Sequence, residues 1–442
     1  MPSTRRIVYS ALVVAWGASF YQLALKDLLN VTFGLGREMQ SIEEFPYDCR
    51  RIEHPSLEAC EDIWLDDKGR TLYAACAGTE GRKYWNQAMQ QVNVTGRRPG
   101  GSELLALDID NPGADGLFNF RAIKPTGSYR GATGNQELDL LGFDAQVLDD
   151  KTIRFYLVNQ RPPVGPSNEI IDASTTGDNS TIEIFDMKKG QKTMRHVRTI
   201  ASSEVWTPNR IATLGDGSSA FLVTNDHSAK VGLRRELDYF IGGGNIAYCS
   251  DAGECHAAYY GHETDESTVG PNATSNPYLQ TALSLLPRSQ LKFPNGIARG
   301  HDGLFYVPST IDGKVRVFAL DKTNKTLRLV DSIHVGMPLD NISPDANGDL
   351  YVAGIPMLGQ AAKSFSEPWK QISPVTVWRI SRAGDAAVPG GAGYKLEKVI
   401  EDKESKVLSG TTTVRHDVKT GRLFMGAAIS PYLMVCEPRA AA

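Results

Sequence analysis

Along most of the chain, short apolar runs alternate with polar turns at irregular spacing, and amphipathic helical periodicity is almost absent. The fullest example is Leu339-Asp340-Asn341-Ile342-Ser343-Pro344-Asp345-Ala346-Asn347-Gly348-Asp349-Leu350-Tyr351-Val352. An adjacent carboxylate and amide precede an Asp/Asn/Gly turn, and an apolar strand follows to Gly354. Asn and Gly tolerate positive φ, so the turn suits a β-hairpin. Glu61-Asp62 stands in the same way ahead of Asp66-Asp67-Lys68-Gly69 and a strand at 72–76. Further turns of this kind lead into strands at 153–159, 220–226, 304–307 and 423–426, and second strands follow many of them, as at 102–107, 181–185, 314–319 and 376–380. Six such units predict an all-β chain forming a six-bladed β-propeller rather than a pair of β-sandwiches. Long polar stretches at 80–101, 160–179 and 251–282 read as surface loops, and loops that long are often lids or binding loops. The more apolar stretch 355–373 reads either as packing against a blade or as the wall of a substrate pocket.

The N-terminus departs from this pattern. Arg5-Arg6 precede an apolar run at 7–25 with no charge until Lys26, about 19 residues against the ~20 that span a bilayer. Arginines before the run place residues from 26 onward in the lumen or outside the cell. The run is expected to be an anchor in the secretory pathway, with a cleaved signal (Ala15-Trp16-Gly17-Ala18 offers small residues) or a buried first helix as alternatives. The expected division is an anchor or signal segment over 1–28, a linker over 29–48, the propeller over 49–438 and a tail over 439–442. Sequons at Asn30, Asn93, Asn179, Asn272 and Asn324 agree with a lumenal surface. So do six cysteines with no CxxC pair. Cys249 and Cys255 could close a local loop, and Cys60 and Cys76 could bridge neighbouring strands. Cys49 and Cys436 would then join the ends of the domain. A net charge of −4 over 442 residues offers no basic field for nucleic acid.

The polar residues at strand ends are Glu61-Asp62, Asn225-Asp226, Asn295-Gly296 and Asp340-Asn341. Carboxylates mixed with amides, without His or Cys, are oxygen ligands for a hard ion such as calcium. In a propeller, inner strand ends converge on the central channel, where residues distant in sequence can meet.

At these positions the chain resembles the paraoxonase/arylesterase family of six-bladed calcium propellers, related more distantly to SMP-30 and strictosidine-synthase-like proteins. The resemblance runs from about Cys49 to Cys436 and is carried by Glu61-Asp62, Thr224-Asn225-Asp226-His227, Phe293-Pro294-Asn295-Gly296-Ile297 and Leu339-Asp340-Asn341-Ile342-Ser343. It implies a catalytic calcium held by Glu61, Asn225, Asn295, Asp340 and Asn341, among which Asn295, Asp340 and Asn341 are the candidate catalytic groups. It implies a second, structural calcium held by Asp62, Asp226 and a backbone oxygen near Phe143. A Cys49–Cys436 disulfide and a retained N-terminal hydrophobic helix are implied as well.

The departures bear on the reaction. Leu141 stands where the family's hydrolases carry their water-activating histidine, Gln160 where its partner histidine would stand, and Ile355 at the pocket histidine. With Met357, these three are the candidate pocket residues. A general base needs a pKa near working pH, which Leu and Gln do not supply. His227 reads as a neighbour of the ion site. A calcium cavity with an apolar wall and no base suits cyclisation or cycloaddition of a hydrophobic small molecule, by polarising a carbonyl and orienting two reactants. This combination resembles the paraoxonase-like hetero-Diels–Alderases of fungal tropolone-sesquiterpenoid biosynthesis. The alternatives are a lactonase or arylesterase with an unrecognised base, and a non-catalytic, membrane-anchored binding propeller.

Overall fold

The computed structural model describes residues 4–259, 291–382 and 393–439. Its sheets form a propeller-like arrangement of consecutive four-stranded antiparallel runs. Each Asp/Gly turn seen in the sequence falls between the first two strands of one run, as between Cys60–Asp66 and Thr71–Cys76, or Leu339–Pro344 and Leu350–Gly354. Two runs share an eight-stranded sheet through a short parallel pairing of Thr193, Met194 and Arg195 with Lys124, Pro125 and Thr126. The last run is completed from the other end of the chain, because Tyr47–Ile52 pairs with Leu433–Pro438 and sets Cys49 opposite Cys436.

Successive side chains on a strand point to opposite faces, and here each face meets a different neighbour. On Thr71–Cys76, Leu72, Ala74 and Cys76 pack with Phe424, Leu433 and Val435 of the last run. Tyr73 and Ala75 pack with Phe143, Phe155 and Leu157 of the following one. Comparable clusters sit at the other junctions. Burial on both faces explains why these strands read as unbroken apolar runs rather than an alternation. Disulfides join Cys49–Cys436, Cys60–Cys76 and Cys249–Cys255.

A helix spans Thr4–Phe20 and continues through looser turns at Tyr21–Leu25 and Leu28–Thr32. Leu12, Val13, Val14 and Trp16 are exposed on it. Among the described residues no helix is long and apolar enough to cross a membrane. The stretch 29–48, expected as a linker, is packed against the sheets. Ile42 and Phe45 are buried against Val377 and Met425, and Thr32 Oγ1 donates to Ile311 O at 2.8 Å. The Arg37 guanidinium donates to the carbonyls of Pro356, Val31 and Gly336. Of the sequons, Asn30, Asn93 and Asn324 are exposed and Asn179 is half-buried at the start of a strand. Asn272 lies outside the described residues.

Candidate functional site

The first strand of nearly every run slips register at the same level. The slips leave Glu61, Leu141-Gly142, Asn209-Arg210, Asp340-Asn341 and Thr412 outside the regular ladder. A β-bulge re-aims a side chain, and these bulges aim theirs into one cavity. Glu61, Leu141, Asn209, Asp340 and Thr412 line a space of about 510 Å³, joined by Asn295 from the stretch ahead of Ala298–Arg299. Two glycines let the strands approach this closely. A Cβ on Gly296 would sit 2.7 Å from Asn341 Cα, and one on Gly142 would meet the Asn209 carbonyl. Phe293 lines the cavity with a left-handed φ of 56°, a conformation that costs a bulky residue and clusters at functional sites.

The floor of the cavity is polar and short of donors. Asn341 Nδ2 donates to Glu61 Oε1 at 3.2 Å, whereas Glu61 Oε2, Asn295 Oδ1, Asp340 Oδ1 and Asn341 Oδ1 are buried with no hydrogen-bond partner. Unpartnered buried acceptors are costly, and four gathered from three runs of the sheet ask for a cation. Burial pushes the Glu61 carboxyl up to about 7, with Arg82 opposing and Asp62 adding to the rise. Burial and the Glu61 charge hold Asp340 well above the usual carboxylate range. Two carboxylates with amide oxygens are the donor set of a calcium ion, so Glu61, Asn295, Asp340 and Asn341 fit that ion. Among the described residues no cluster of three or more His, Cys, Asp or Glu is placed to hold a metal, consistent with a set half made of amides.

Asn225 is placed differently. Its Oδ1 accepts from the Trp206 and Thr207 N–H groups, both at 3.0 Å, and its Nδ2 donates to Glu204 O and Asn245 Oδ1. Asn209 rather than Asn225 faces the cavity. Thr412 donates from Oγ1 to Glu61 O at 2.9 Å and so steadies the backbone that carries the carboxylate. Asn209 and Thr412 stand ahead of turns as Glu61 and Asp340 do, but beside Arg210 and Thr413 they form no acidic or acid–amide doublet to mark them.

The second expected calcium set is also differently arranged. Phe143 turns its N–H toward Asp62, donating to Oδ2 at 3.0 Å. Asp226 Oδ1 pairs with His227 Nδ1 at 2.7 Å. Burial alone would raise the Asp226 carboxyl, but His227 and Arg235 hold it below its usual range. These three groups do not fit a metal ion in this arrangement, because protein donors already serve both carboxylates.

Apolar walls complete the cavity. Leu358, Ala361, Ala362 and Phe365 come from the helix Leu358–Ser366, Phe240 from the helix Asp238–Ile241, and Leu28 and Phe33 from the N-terminal segment. Ile355 and Leu141 line it; Met357 does not, and instead precedes the helix as its N-cap. Gln160 sits behind the wall, its carbonyl accepting from Trp85 Nε1 at 2.7 Å. No histidine, cysteine, lysine or arginine is among the described lining residues. A second concavity of about 570 Å³, lined by Arg51, His54, Trp369 and Tyr432, contains none of the unpartnered oxygens.

Asp178 lies a layer behind the wall, its N–H donating to Gln87 Oε1. Burial pushes its carboxyl up to about 6, with Lys230 opposing. A carboxyl raised above its unfolded value of ~3.9 takes up a proton on folding, so its contribution to stability declines as pH rises from ~4 to ~6 and is flat beyond. Asp178→Asn should therefore gain about 2 kcal/mol relative to the parent between pH 4.5 and pH 7. Urea melts at the two pH values check this; equal differences at both would refute it.

No protein-family model matches the chain, and no curated protein sequence matches it. Solved structures with a similar course include a luciferin-regenerating enzyme at 10% identity, covering 88% of this chain and 95% of that one, with a TM-score of 0.46. A gluconolactonase from Xanthomonas campestris stands at 13% identity, 92% and 96% coverage and a TM-score of 0.46. A calcium-binding regucalcin from Agrobacterium tumefaciens stands at 12%, 89% and 94%, and 0.44. The architecture described above stands on the sheet pairing of this chain rather than on these likenesses.

Proposed function

We propose that this chain is a six-bladed, calcium-dependent propeller enzyme of the paraoxonase-like kind, a cyclase of the hetero-Diels–Alder type acting on hydrophobic secondary metabolites. The observation that carries the reading is a cavity with apolar walls, unpartnered buried oxygens on its lining residues Glu61, Asn295 and Asp340 with Asn341 Oδ1 beside them, and no histidine in its described lining. Glu61, Asn295, Asp340 and Asn341 hold the ion. When bound, calcium supplies a Lewis acid that polarises a carbonyl or enone oxygen. The aromatic and aliphatic wall of Phe33, Phe240, Phe293, Leu358 and Phe365 binds and orients two apolar reactants and excludes water. Proximity of this kind lowers a bimolecular barrier without a protein nucleophile. Work in the secretory pathway, with the N-terminal helix holding the chain at a membrane, belongs to the same proposal.

A lactone or aryl ester hydrolase is the second reading, favoured by one observation. Glu61 Oε2 is buried and unpartnered at the cavity floor, where a carboxylate oxygen can accept a proton from water. The two readings separate in one assay with candidate diene and heterodiene pairs beside phenyl acetate and a simple lactone, with and without chelator. The cyclase reading expects a chelator-sensitive cycloadduct, lost in Asp340→Asn, and ester turnover at background. Chelator-sensitive ester turnover, lost in Glu61→Gln, would overturn it. A non-catalytic binding propeller would show neither.

A further inference from the structure

Below the cavity floor, the channel between the inner strands holds a second buried carboxylate with a different solution to its charge. Asp62 is fully buried, and both of its oxygens are served. Oδ1 accepts from Ile63 N–H at 2.9 Å and from Thr413 Oγ1 at 3.1 Å. Oδ2 accepts from Phe143 N–H at 3.0 Å and lies 2.8 Å from Arg210 Nε, an ion pair without the alignment of a hydrogen bond. Arg210 is itself 2% exposed. Its Nη1 donates across the channel to Ile342 O, and its N–H donates to Thr224 Oγ1, which donates in turn to Asn295 O at 2.6 Å. Asp62, Phe143, Arg210, Ile342 and Thr413 belong to five different four-stranded runs, and Asn295 stands just ahead of the first strand of another. Arg415, also buried, donates to Ile63 O beside them.

We infer that the Arg210 guanidinium is the resident cation of the lower channel: it neutralises Asp62, ties the inner strands together, and excludes a divalent ion from the position expected to hold the second calcium. The physical case is a competition for one carboxylate. A fixed guanidinium 2.8 Å from Asp62 Oδ2 supplies the charge a metal would supply and repels one that approaches. Phe143 adds to this by presenting a donor where a metal would need an acceptor. The inference is independent of the reaction assigned to the cavity above.

The test counts calcium and follows stability. Purified chain equilibrated with calcium and analysed by elemental analysis should hold no more than one ion per chain. In Glu61→Gln/Asp340→Asn, which removes the carboxylates of the floor, a chelator should leave the melting temperature unmoved. Two ions per chain in the parent, or a chelator-induced fall that persists in the double variant, would overturn the inference. Absence of any bound calcium in the parent would instead sink the ion assignment at the floor and leave the lower channel as described. Arg210→Gln should lower the melting temperature by roughly 5–10 °C, because the buried Asp62 carboxylate loses its ion-pair partner and keeps only its three hydrogen-bond donors and the more distant Arg415 charge. Millimolar calcium should restore part of that loss in Arg210→Gln beyond any shift in the parent. A variant that melts with the parent would overturn the inference, and if Arg210→Gln does not fold, the ion count on the parent decides alone.

Discussion

Glu61→Gln is expected to make the calcium-free chain more stable at alkaline pH while abolishing its stabilisation by calcium. Burial raises the Glu61 carboxyl to about 7 from an ordinary value near 4.5. The calcium-free folded chain therefore takes up a proton that the unfolded chain gives away. Its stability falls as pH rises through that window, and the full penalty is present above pH 7. Its size is on the order of 3 kcal/mol at pH 8, and Gln does not carry it. In the parent, calcium opposes the same penalty by binding only the folded state. Melting curves at pH 8, with calcium or with chelator, check both halves. The parent should lose stability on chelation and the variant should not. A variant less stable than the parent in chelator would show that the Glu61 charge is compensated by the protein, and the ion assignment would fall.

Cys49→Ser/Cys436→Ser should lower stability by about 6 kcal/mol, whereas Cys249→Ser/Cys255→Ser should cost about 2 kcal/mol. The contrast follows from the loops closed: 387 residues separate Cys49 and Cys436, and only 6 separate Cys249 and Cys255. A cross-link removes more freedom from the unfolded chain when the loop is long. The long one also fastens Tyr47–Ile52 to Leu433–Pro438, where the two ends of the chain share one sheet. Chemical denaturation of each pair variant measures the difference. Equal losses would show that local packing, not chain closure, sets the contribution.

Much of the architecture was legible because its units repeat. The Asp/Gly turns are local chemistry: Asp345 Oδ1, for example, accepts from the N–H groups of Asn347 and Asp349 and so folds its own turn. Nothing distant is needed to recognise them. Asp340, Asn341, Glu61 and Asn295 could be picked out because each stands just ahead of a turn or strand, and they meet at one floor. Asn209, Thr412 and Arg210 were hidden for a different reason. Bulges of the same kind carry Glu61 and Asp340, but these three have no acidic or acid–amide doublet to mark them, and a bulge is a property of two paired strands rather than of either sequence alone. Asn225 was assigned to the ion by resemblance, yet the Trp206 and Thr207 amides claim its oxygen. The N-terminal stretch read as a linker because its apolar residues are scattered. Only the folded chain shows Phe33 of that stretch, with Leu28 of the segment read as an anchor, closing the cavity.

The displaced positions on the inner strands have a consequence for how such a protein diversifies. A residue that stands outside the hydrogen-bond ladder can be exchanged without disturbing the pairing on either side. Glu61, Leu141, Asn209, Asp340 and Thr412 are in that sense separate addresses on one wall, each served by its own hairpin. A lineage could rewrite what the wall recognises one address at a time, while the frame that carries it keeps folding as before.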